Sequence, residues 1–144
     1  MPSRSGRIEG VAHRFPIRVY YEDTDAAGIV YYANYLKFAE RARTELLRLL
    51  GFEHAALRAG HGAAFAVRRC AVDFLRPARL DDEVEVVTRL TGLGGATAEI
   101  RQVVARDGVD LARLDIRLAL VAETGRPIRL PQGLRDALGP LITP

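Results

Sequence analysis

Length and composition are those of one ordinary globular domain. The 144 residues are 49% hydrophobic and 27% charged, which is typical of a chain that folds around a core of its own. No apolar run approaches the roughly 20 residues that a membrane-spanning helix needs, so we expect no integral membrane segment.

Charge and cysteine usage narrow the class of protein further. The formal net charge is +3, and arginine carries most of the positive charge because Lys37 is the only lysine. The arginines alternate with acids and do not cluster, which favours a phosphate-bearing small molecule or a solvated surface over nucleic acid. Cys70 is the only cysteine, which excludes an intrachain disulfide. Residues 1–10 lack the apolar core of a signal peptide, and we expect a cytoplasmic protein.

The first half of the chain predicts a tail, a strand and one long helix. Residues 1–10 contain Ser, Gly and Arg and are expected to form a disordered tail, with a single domain over 11–144. Residues 13–21 alternate in polarity, as a strand does. Over 33–50 the apolar residues recur at steps of three and four, which predicts an amphipathic helix that ends at Gly51. A short helical turn and a loop follow.

The second half changes to the period of β-strands. Strands are predicted over 65–75, 83–90, 97–106 and 111–122, and a short helix over 132–138. Asp107 and Gly108 form a strong hairpin signal between two of these strands. The order predicts an α+β domain in which an antiparallel β-sheet wraps around one long central α-helix. This sheet is large for the available helical cover, so we expect association with another copy.

Few stretches of the chain offer reactive chemistry. The histidines are scattered and no cysteine pair exists, so no metal site is expected. There is no serine nucleophile elbow, and the glycines of residues 92–95 do not join a strand to a helix as a phosphate-binding loop would. The chemistry is therefore expected from the acidic turn before the long helix.

Asp25 is the carboxylate of that turn with the most suggestive position. The first N–H groups of the following helix are free and carry partial positive charge. Such donors can polarise a carbonyl group while a carboxylate attacks it or activates water. In the alternative interpretation, which spacing alone favours, Asp25 or Asp23 merely caps the helix.

The segment 20–50, with EDTDAAGIVYYANYL at its centre, resembles the signature of the hotdog-fold acyl-CoA thioesterases. It is most like the YbgC-type, Tol-Pal-associated group and is similar to 4-hydroxybenzoyl-CoA thioesterase. The likeness continues through VRRCAVDFLRPARLDDEVEV (67–86) and covers about residues 14–122. It implies a hotdog fold that hydrolyses a thioester to an acid and a thiol. It also implies that two subunits pair their sheets side by side, often as part of a homotetramer, with active sites between subunits.

The resemblance also implies roles for residues of this segment. Asp25 matches the catalytic aspartate, as nucleophile or general base, and the backbone N–H of Tyr32 matches the group that polarises the thioester carbonyl. Gly28, Tyr31 and Asn34 belong to the same substrate-binding motif, the last two for shaping and positioning. Many YbgC-type sequences carry histidine where this chain has Tyr32. Because of this difference, both short-chain acyl groups and aryl groups remain candidate substrates.

Further expectations concern the coenzyme part of the substrate. Arg68, Arg69, Arg76 and Arg79 are candidates for contact with the CoA phosphates. No metal or redox cofactor is implied, because CoA is part of the substrate. Glu40 on the long helix is a second candidate carboxylate, although a solvated surface position is the simpler interpretation.

Three other functions remain as alternatives on the same scaffold. An acyl-carrier-protein thioesterase would suit the basic surface equally well. A non-catalytic module that binds acyl-CoA is disfavoured by Asp25, because a binder gains nothing from a carboxylate near the thioester. A hotdog dehydratase is disfavoured because its usual histidine is missing.

Overall fold

The computed structural model describes residues 4–144, so residues 1–3 of the expected tail lie outside the described residues. The elements in chain order are β1 Arg7–Glu9, β2 Ala12–Arg18, α1 Asn34–Leu49, α2 His54–His61, β3 Ala63–Phe74, β4 Glu83–Leu93, β5 Thr97–Arg106, β6 Val109–Ala122 and α3 Gln132–Leu138. None of the helices in this part of the chain combines the length and the apolar character that crossing a bilayer requires.

Within the described residues, six strands form one antiparallel sheet in the order β1-β2-β4-β5-β6-β3. The strands β4, β5 and β6 lie next to one another in chain order at its centre, whereas β3 pairs with β6 and not with β4, which follows it in the chain. Asp107 and Gly108 join β5 to β6 with φ angles of 52° and 77°, so this turn uses the left-handed conformation that the Asp-Gly pair predicts. The short strand β1 and the long strand β3 are left at the two edges.

One face of α1 is buried against the sheet. Phe38, Ala39 and Ala42 are fully buried, and the two alanines let the helix axis approach the strands closely. The fully buried side chain of Gln102 in β5 donates from Nε2 to the carbonyl oxygen of Ala39 at 2.9 Å. The predicted stripe is confirmed up to residue 46, but Leu47 is buried at its end and Leu49 is 39% exposed.

The predicted elements agree with the structure most closely where the polarity pattern is cleanest. The bounds of β5 and α3 coincide with the predictions, and α1 is one residue shorter at each end than predicted. In β6 the alternation is confirmed. The side chains predicted to face one side are buried and those of the other side from 113 to 117 are exposed, although Leu111 and Ala119 are buried as well. The buried set is Ala112, Leu114, Ile116, Leu118 and Leu120, and the exposed set is Arg113, Asp115 and Arg117.

Strand β3 departs from a regular strand at a bulge. Its pairing with β6 shifts register between Val67 and Arg69, so Arg68 is an extra residue in the strand. Before the bulge Val67 pairs with the buried Leu118, and after it Cys70 pairs with the buried Ile116. The helix-facing set therefore changes from odd-numbered to even-numbered residues. Strict alternation along the predicted strand 65–75 therefore does not hold at Arg68 and Arg69.

The expectation of a disordered tail is wrong for residues 4–10. Residues Arg7–Glu9 form β1, and Ser5 is buried. The Ser5 hydroxyl donates to Oε2 of Glu45 at 2.6 Å, and the Ser5 carbonyl oxygen lies 2.7 Å from Nε2 of His13. Gly6 has φ of 76°, and a Cβ there would collide with the carbonyl oxygen of Arg14. Local composition predicts none of this, because the partners are distant in sequence.

The burial of His13 predicts a loss of stability in mild acid. Burial lowers the pKa of His13 below its ordinary value of 6.5, although the Ser5 carbonyl and Glu45 favour the protonated ring. The unfolded chain therefore binds this proton more tightly. The free energy of unfolding should fall as the pH drops below about 6.5, by at most about 1.4 kcal/mol per pH unit.

Urea unfolding between pH 7.5 and 5.5 measures this effect, in a range above the titration of ordinary carboxylates. The variant His13→Gln keeps a neutral hydrogen-bonding side chain and should lose most of the pH dependence. His61→Gln, at an exposed position in α2, is the matched control and should behave as the wild type does. An equal pH dependence in His13→Gln and wild type would contradict the assignment.

Candidate active site

The acidic turn folds back on itself as a small hairpin. The N–H of Asp25 donates to the carbonyl oxygen of Ile29 at 2.9 Å, and Thr24 forms an isolated antiparallel bridge with Val30. Gly28 lies at the tip with φ of 77°, a conformation that suits glycine. The structure therefore gives Gly28, a predicted substrate-binding residue, a turn-forming role.

Asp25 holds its own turn and does not cap α1. Its Oδ1 accepts a hydrogen bond from the N–H of Ala27 at 2.8 Å, and its side chain is exposed. The residue that precedes α1 is Ala33, and no side chain caps the helix there. The interpretation of Asp25 or Asp23 as the cap of the long helix is therefore wrong. The second carboxylate oxygen of Asp25 accepts no hydrogen bond from any residue in the range 4–144.

The start of α1 leaves a backbone donor available. The N–H of Asn34 donates to the carbonyl oxygen of Tyr31 at 2.8 Å, and the N–H of Leu36 donates to that of Ala33 at 3.1 Å. No acceptor in the described part of the chain takes the N–H of Tyr32. This donor lies at the positive end of the helix dipole, which is the environment that the resemblance implies for it.

Asn34 and Asp23 form a buried pair beneath this loop. Their exposed fractions are 8% and 6%. Nδ2 of Asn34 donates to Oδ1 of Asp23 at 3.0 Å, and the N–H of Tyr20 donates to Oδ2 of Asp23 at 2.9 Å. The amide group of Asn34 thus faces the protein, as the expected positioning role requires. The sequence prediction gave Asp23 no role beyond a possible cap.

An apolar cleft of about 290 Å³ opens beside the start of α1. It is lined by Ile29, Val30, Tyr32, Tyr35, Phe74, Leu75, Arg76 and Pro77. The ring of Tyr32 meets that of Phe74 edge-on at a centroid distance of 6.0 Å. The ring of Tyr31 is tilted by 48° against that of Tyr32 at a centroid distance of 4.8 Å, and Tyr31 does not line the cleft. Sequence reasoning missed Phe74 as a cleft residue, although its alternation with Cys70 and Val72 was the available signal.

The turn over residues 78–82 is hydrogen-bonded to the acidic turn. The N–H of Val30 donates to the carbonyl oxygen of Ala78 at 2.8 Å, and the N–H of Ala78 donates to the Tyr35 hydroxyl at 2.9 Å. Asp82 accepts from the N–H of Arg79 at 2.8 Å and from Nη1 of Arg106 at 2.5 Å. Desolvation acts to raise the pKa of Asp82, but these hydrogen bonds outweigh it and hold the pKa below its ordinary value.

The four candidate arginines are all exposed, but they divide into two pairs. Arg76 lines the cleft, and Arg79 forms a backbone bridge with Ile29 at its edge. Arg68 and Arg69 lie at the bulge of β3, about 17 Å along the strand from Phe74 at the spacing of extended residues. A single subunit therefore does not bring all four to one place. Glu40 is exposed on α1 and does not line the cleft.

Solved structures share this architecture over nearly the whole chain. A probable thioesterase from Bartonella henselae is 39% identical with a TM-score of 0.81, covering 83% of this chain and 99% of that one. A thioesterase from Thermus thermophilus, solved with coenzyme A and zinc, is 33% identical with a TM-score of 0.77, covering 93% and 96% of the two chains. A sheet wrapped around one central helix defines this class as the hotdog fold, and the predicted fold is confirmed.

The sequence comparisons identify the family. The model of the thioesterase superfamily matches residues 27–112. The acyl-CoA thioesterase YbgC of Haemophilus influenzae is 42% identical over 125 residues, which cover 85% of this chain and 91% of that protein. The chain belongs to the thioesterase superfamily, as the segment 20–50 indicates.

The Tyr35 hydroxyl predicts a measurable contribution to stability. The variant Tyr35→Phe keeps the ring that packs on Phe74 but leaves the buried N–H of Ala78 without its acceptor. An unsatisfied buried donor costs about 1–3 kcal/mol, so urea unfolding should show a destabilisation of that size. Tyr21→Phe, at an 83% exposed position, is the control and should leave stability unchanged. Equal stability of the two variants would show that water replaces the Tyr35 hydroxyl.

Proposed function

We propose that this protein is an acyl-CoA thioesterase that hydrolyses a thioester to a free acid and CoA. One observation carries the proposal. A single folded-back loop holds an exposed carboxylate, Asp25, and a backbone donor without an acceptor in the described chain, Tyr32, beside an apolar cleft. The names of the relatives support it, since the Haemophilus influenzae protein is called an acyl-CoA thioesterase and the Thermus thermophilus structure contains coenzyme A.

The proposed reaction assigns one role to each group. The N–H of Tyr32 donates to the thioester carbonyl oxygen and stabilises the negative charge that develops there. Asp25 either attacks the carbonyl carbon, giving an anhydride that water then hydrolyses, or takes a proton from the attacking water. In both routes the carbon–sulfur bond breaks, CoA leaves as the thiol, and water supplies the oxygen and the protons.

The cleft favours compact acyl groups. Its walls are mostly aromatic and aliphatic, and Tyr35 in the wall packs on the fully buried Phe38 at 6.1 Å between ring centroids. A short aliphatic or aryl acyl group suits about 290 Å³ better than a long chain does. Arg76 and Arg79 at the edge of the cleft are the proposed contacts of the CoA phosphates. No metal or redox cofactor enters this scheme, and a cytoplasmic location remains part of the proposal.

A homodimer through β3 is also proposed. This edge strand and the residue after it expose Val67, Phe74 and Leu75 by 49%, 51% and 42%, and an edge strand has unpaired backbone groups. Antiparallel pairing of two β3 strands would cover these side chains. It would also bring Arg68 and Arg69 of one copy toward the cleft of the other, which accounts for their distance from the cleft in one subunit. A homotetramer would form from two such dimers.

The catalytic assignment predicts the behaviour of Asp25→Asn. This variant should lower kcat by about 10²- to 10⁴-fold with little change in fold, because an amide oxygen can still accept the N–H of Ala27. Tyr32→Phe should retain turnover within about 10-fold, because the proposed donor is the backbone N–H. Thiol release from short aliphatic, long aliphatic and aryl acyl-CoAs measures both effects and ranks the substrates.

The exposed neighbour Glu22 offers a matched control for this experiment. Glu22→Gln removes the same charge one turn away and should keep the wild-type kcat. Equal losses in Glu22→Gln and Asp25→Asn would point to general electrostatics and against the assignment. An absence of turnover on every CoA ester, with acyl-carrier-protein thioesters hydrolysed instead, would move the substrate class to the carrier protein.

The dimer proposal predicts that one added charge on β3 dissociates the assembly. Val67→Asp should yield a monomer at micromolar concentration, because burying an unpaired carboxylate is costly. Val109→Asp introduces the same charge at a 42% exposed position outside β3 and should keep the wild-type mass. Light scattering after size exclusion measures both, and an unchanged mass in Val67→Asp would place the interface elsewhere.

A further inference from the structure

We infer that Asp23 and Asn34 act as a clamp that positions the two reacting groups of the site. The inference rests on the proposed function, since it concerns the separation between the carboxylate of Asp25 and the N–H of Tyr32. Neither clamp residue needs to touch the substrate. Both side chains are buried, so their effect on the reaction passes through the backbone that they hold.

The contacts of Asp23 reach both ends of the loop that carries the site. Its carbonyl oxygen accepts the N–H of Tyr31 at 2.9 Å, and its Oδ1 accepts Nδ2 of Asn34 at 3.0 Å. Asp23 stands two residues before Asp25, and Asn34 stands two residues after Tyr32. The clamp therefore ties the chain just outside the reacting groups, on both sides.

No second side-chain bond does this work in the described residues. Between residues 20–30 and α1, the bond from Asn34 to Asp23 is the one side-chain hydrogen bond, and no ion pair joins the two segments. The helix start also lacks a side-chain cap. The Asp23–Asn34 pair is thus the direct side-chain link between α1 and the acidic turn, beside an indirect link from Tyr35 through Ala78 to Val30.

The carboxylate of Asp23 fixes the direction of both of its side-chain hydrogen bonds, because it can only accept them. An ionised carboxylate accepts only, so it can take the Tyr20 N–H and the Asn34 amide at the same time without competition. Reacting groups lose about 10²-fold in rate for a displacement near 1 Å. A small shift of the helix start against the turn is therefore expected to appear in kcat far more than in KM.

Exchange of the two polar groups tests the clamp. Asn34→Asp sets a carboxylate against Asp23 where a donor stood, and should lower kcat about 100-fold with KM changed by less than about threefold. Asp23→Asn alone should be mild, because the Asn34 amide can rotate and accept. The combination Asp23→Asn with Asn34→Asp restores a donor at position 23 and an acceptor at position 34, and should recover most of kcat.

The experiment measures kcat and KM of these variants below their unfolding temperatures, beside Asp25→Asn and the Glu22→Gln control. Folding is checked by circular dichroism and native mass. If Asn34→Asp does not fold, Asn34→Ala removes the donor without repulsion and should lower kcat about 10-fold. Amide hydrogen exchange of residues 20–33 should rise in the single variants at position 34 and return to the wild-type rate in the combination.

The possible results separate the clamp from the proposed function. If Asp25→Asn is inactive while Asn34→Ala and Asn34→Asp keep the wild-type kcat, the clamp is overturned and the proposed function stands. A lower unfolding temperature with unchanged kcat and unchanged amide hydrogen exchange would show that the pair contributes to stability alone, and it would overturn the positioning role. A wild type without turnover, or an active Asp25→Asn, would overturn the proposed function and with it the positioning role.

Discussion

Burial of one face of α1 against the sheet is the constraint on which the rest of the molecule depends. Phe38, Ala39 and Ala42 lose all contact with solvent, and the alanines allow the close approach that seats the helix. Burial of this face fixes the helix axis against the sheet, and the Asp23–Asn34 pair then holds the acidic turn against the helix start. The backbone donor of Tyr32 and the cleft beside it follow from that position, so packing in the core and chemistry at the rim are consequences of the same contact.

The site is supported by turns and by one edge strand. The acidic turn rests on the turn over residues 78–82 through Val30 and Ala78, and Asp82 stabilises that second turn with two hydrogen bonds. Phe74 at the end of β3 supplies the wall of the cleft. The turn directly before α1 thus presents the donor of Tyr32, and the acidic turn with its own internal hydrogen bonds presents the carboxylate of Asp25.

Sequence reasoning predicts the parts of this structure that depend on local periodicity. The alternation in β6 and the helical stripe of α1 each repeat over many residues, so they predict the element, its buried face and the order of the fold. The docked N-terminal segment and the Asp23–Asn34 pair arise from single contacts between residues far apart or in irregular segments. Such single contacts leave no periodic pattern in the sequence, so they could not be predicted from it. Asp25 and Tyr32 were found because they occur in a recognisable segment, and their roles remain predictions.

The bulge in β3 has a consequence for how this domain tolerates insertions and deletions. In a regular strand the loss of one residue turns every following side chain to the opposite face of the sheet, but the loss of Arg68 would remove only the residue that has no partner in β6. Val67 and Arg69 would keep their pairing with Leu118 and Arg117, so Phe74 would stay on the helix-facing side and the cleft would keep the ring that meets Tyr32. The bulge is therefore the position at which this edge strand can lose a residue without changing which side chains face the helix.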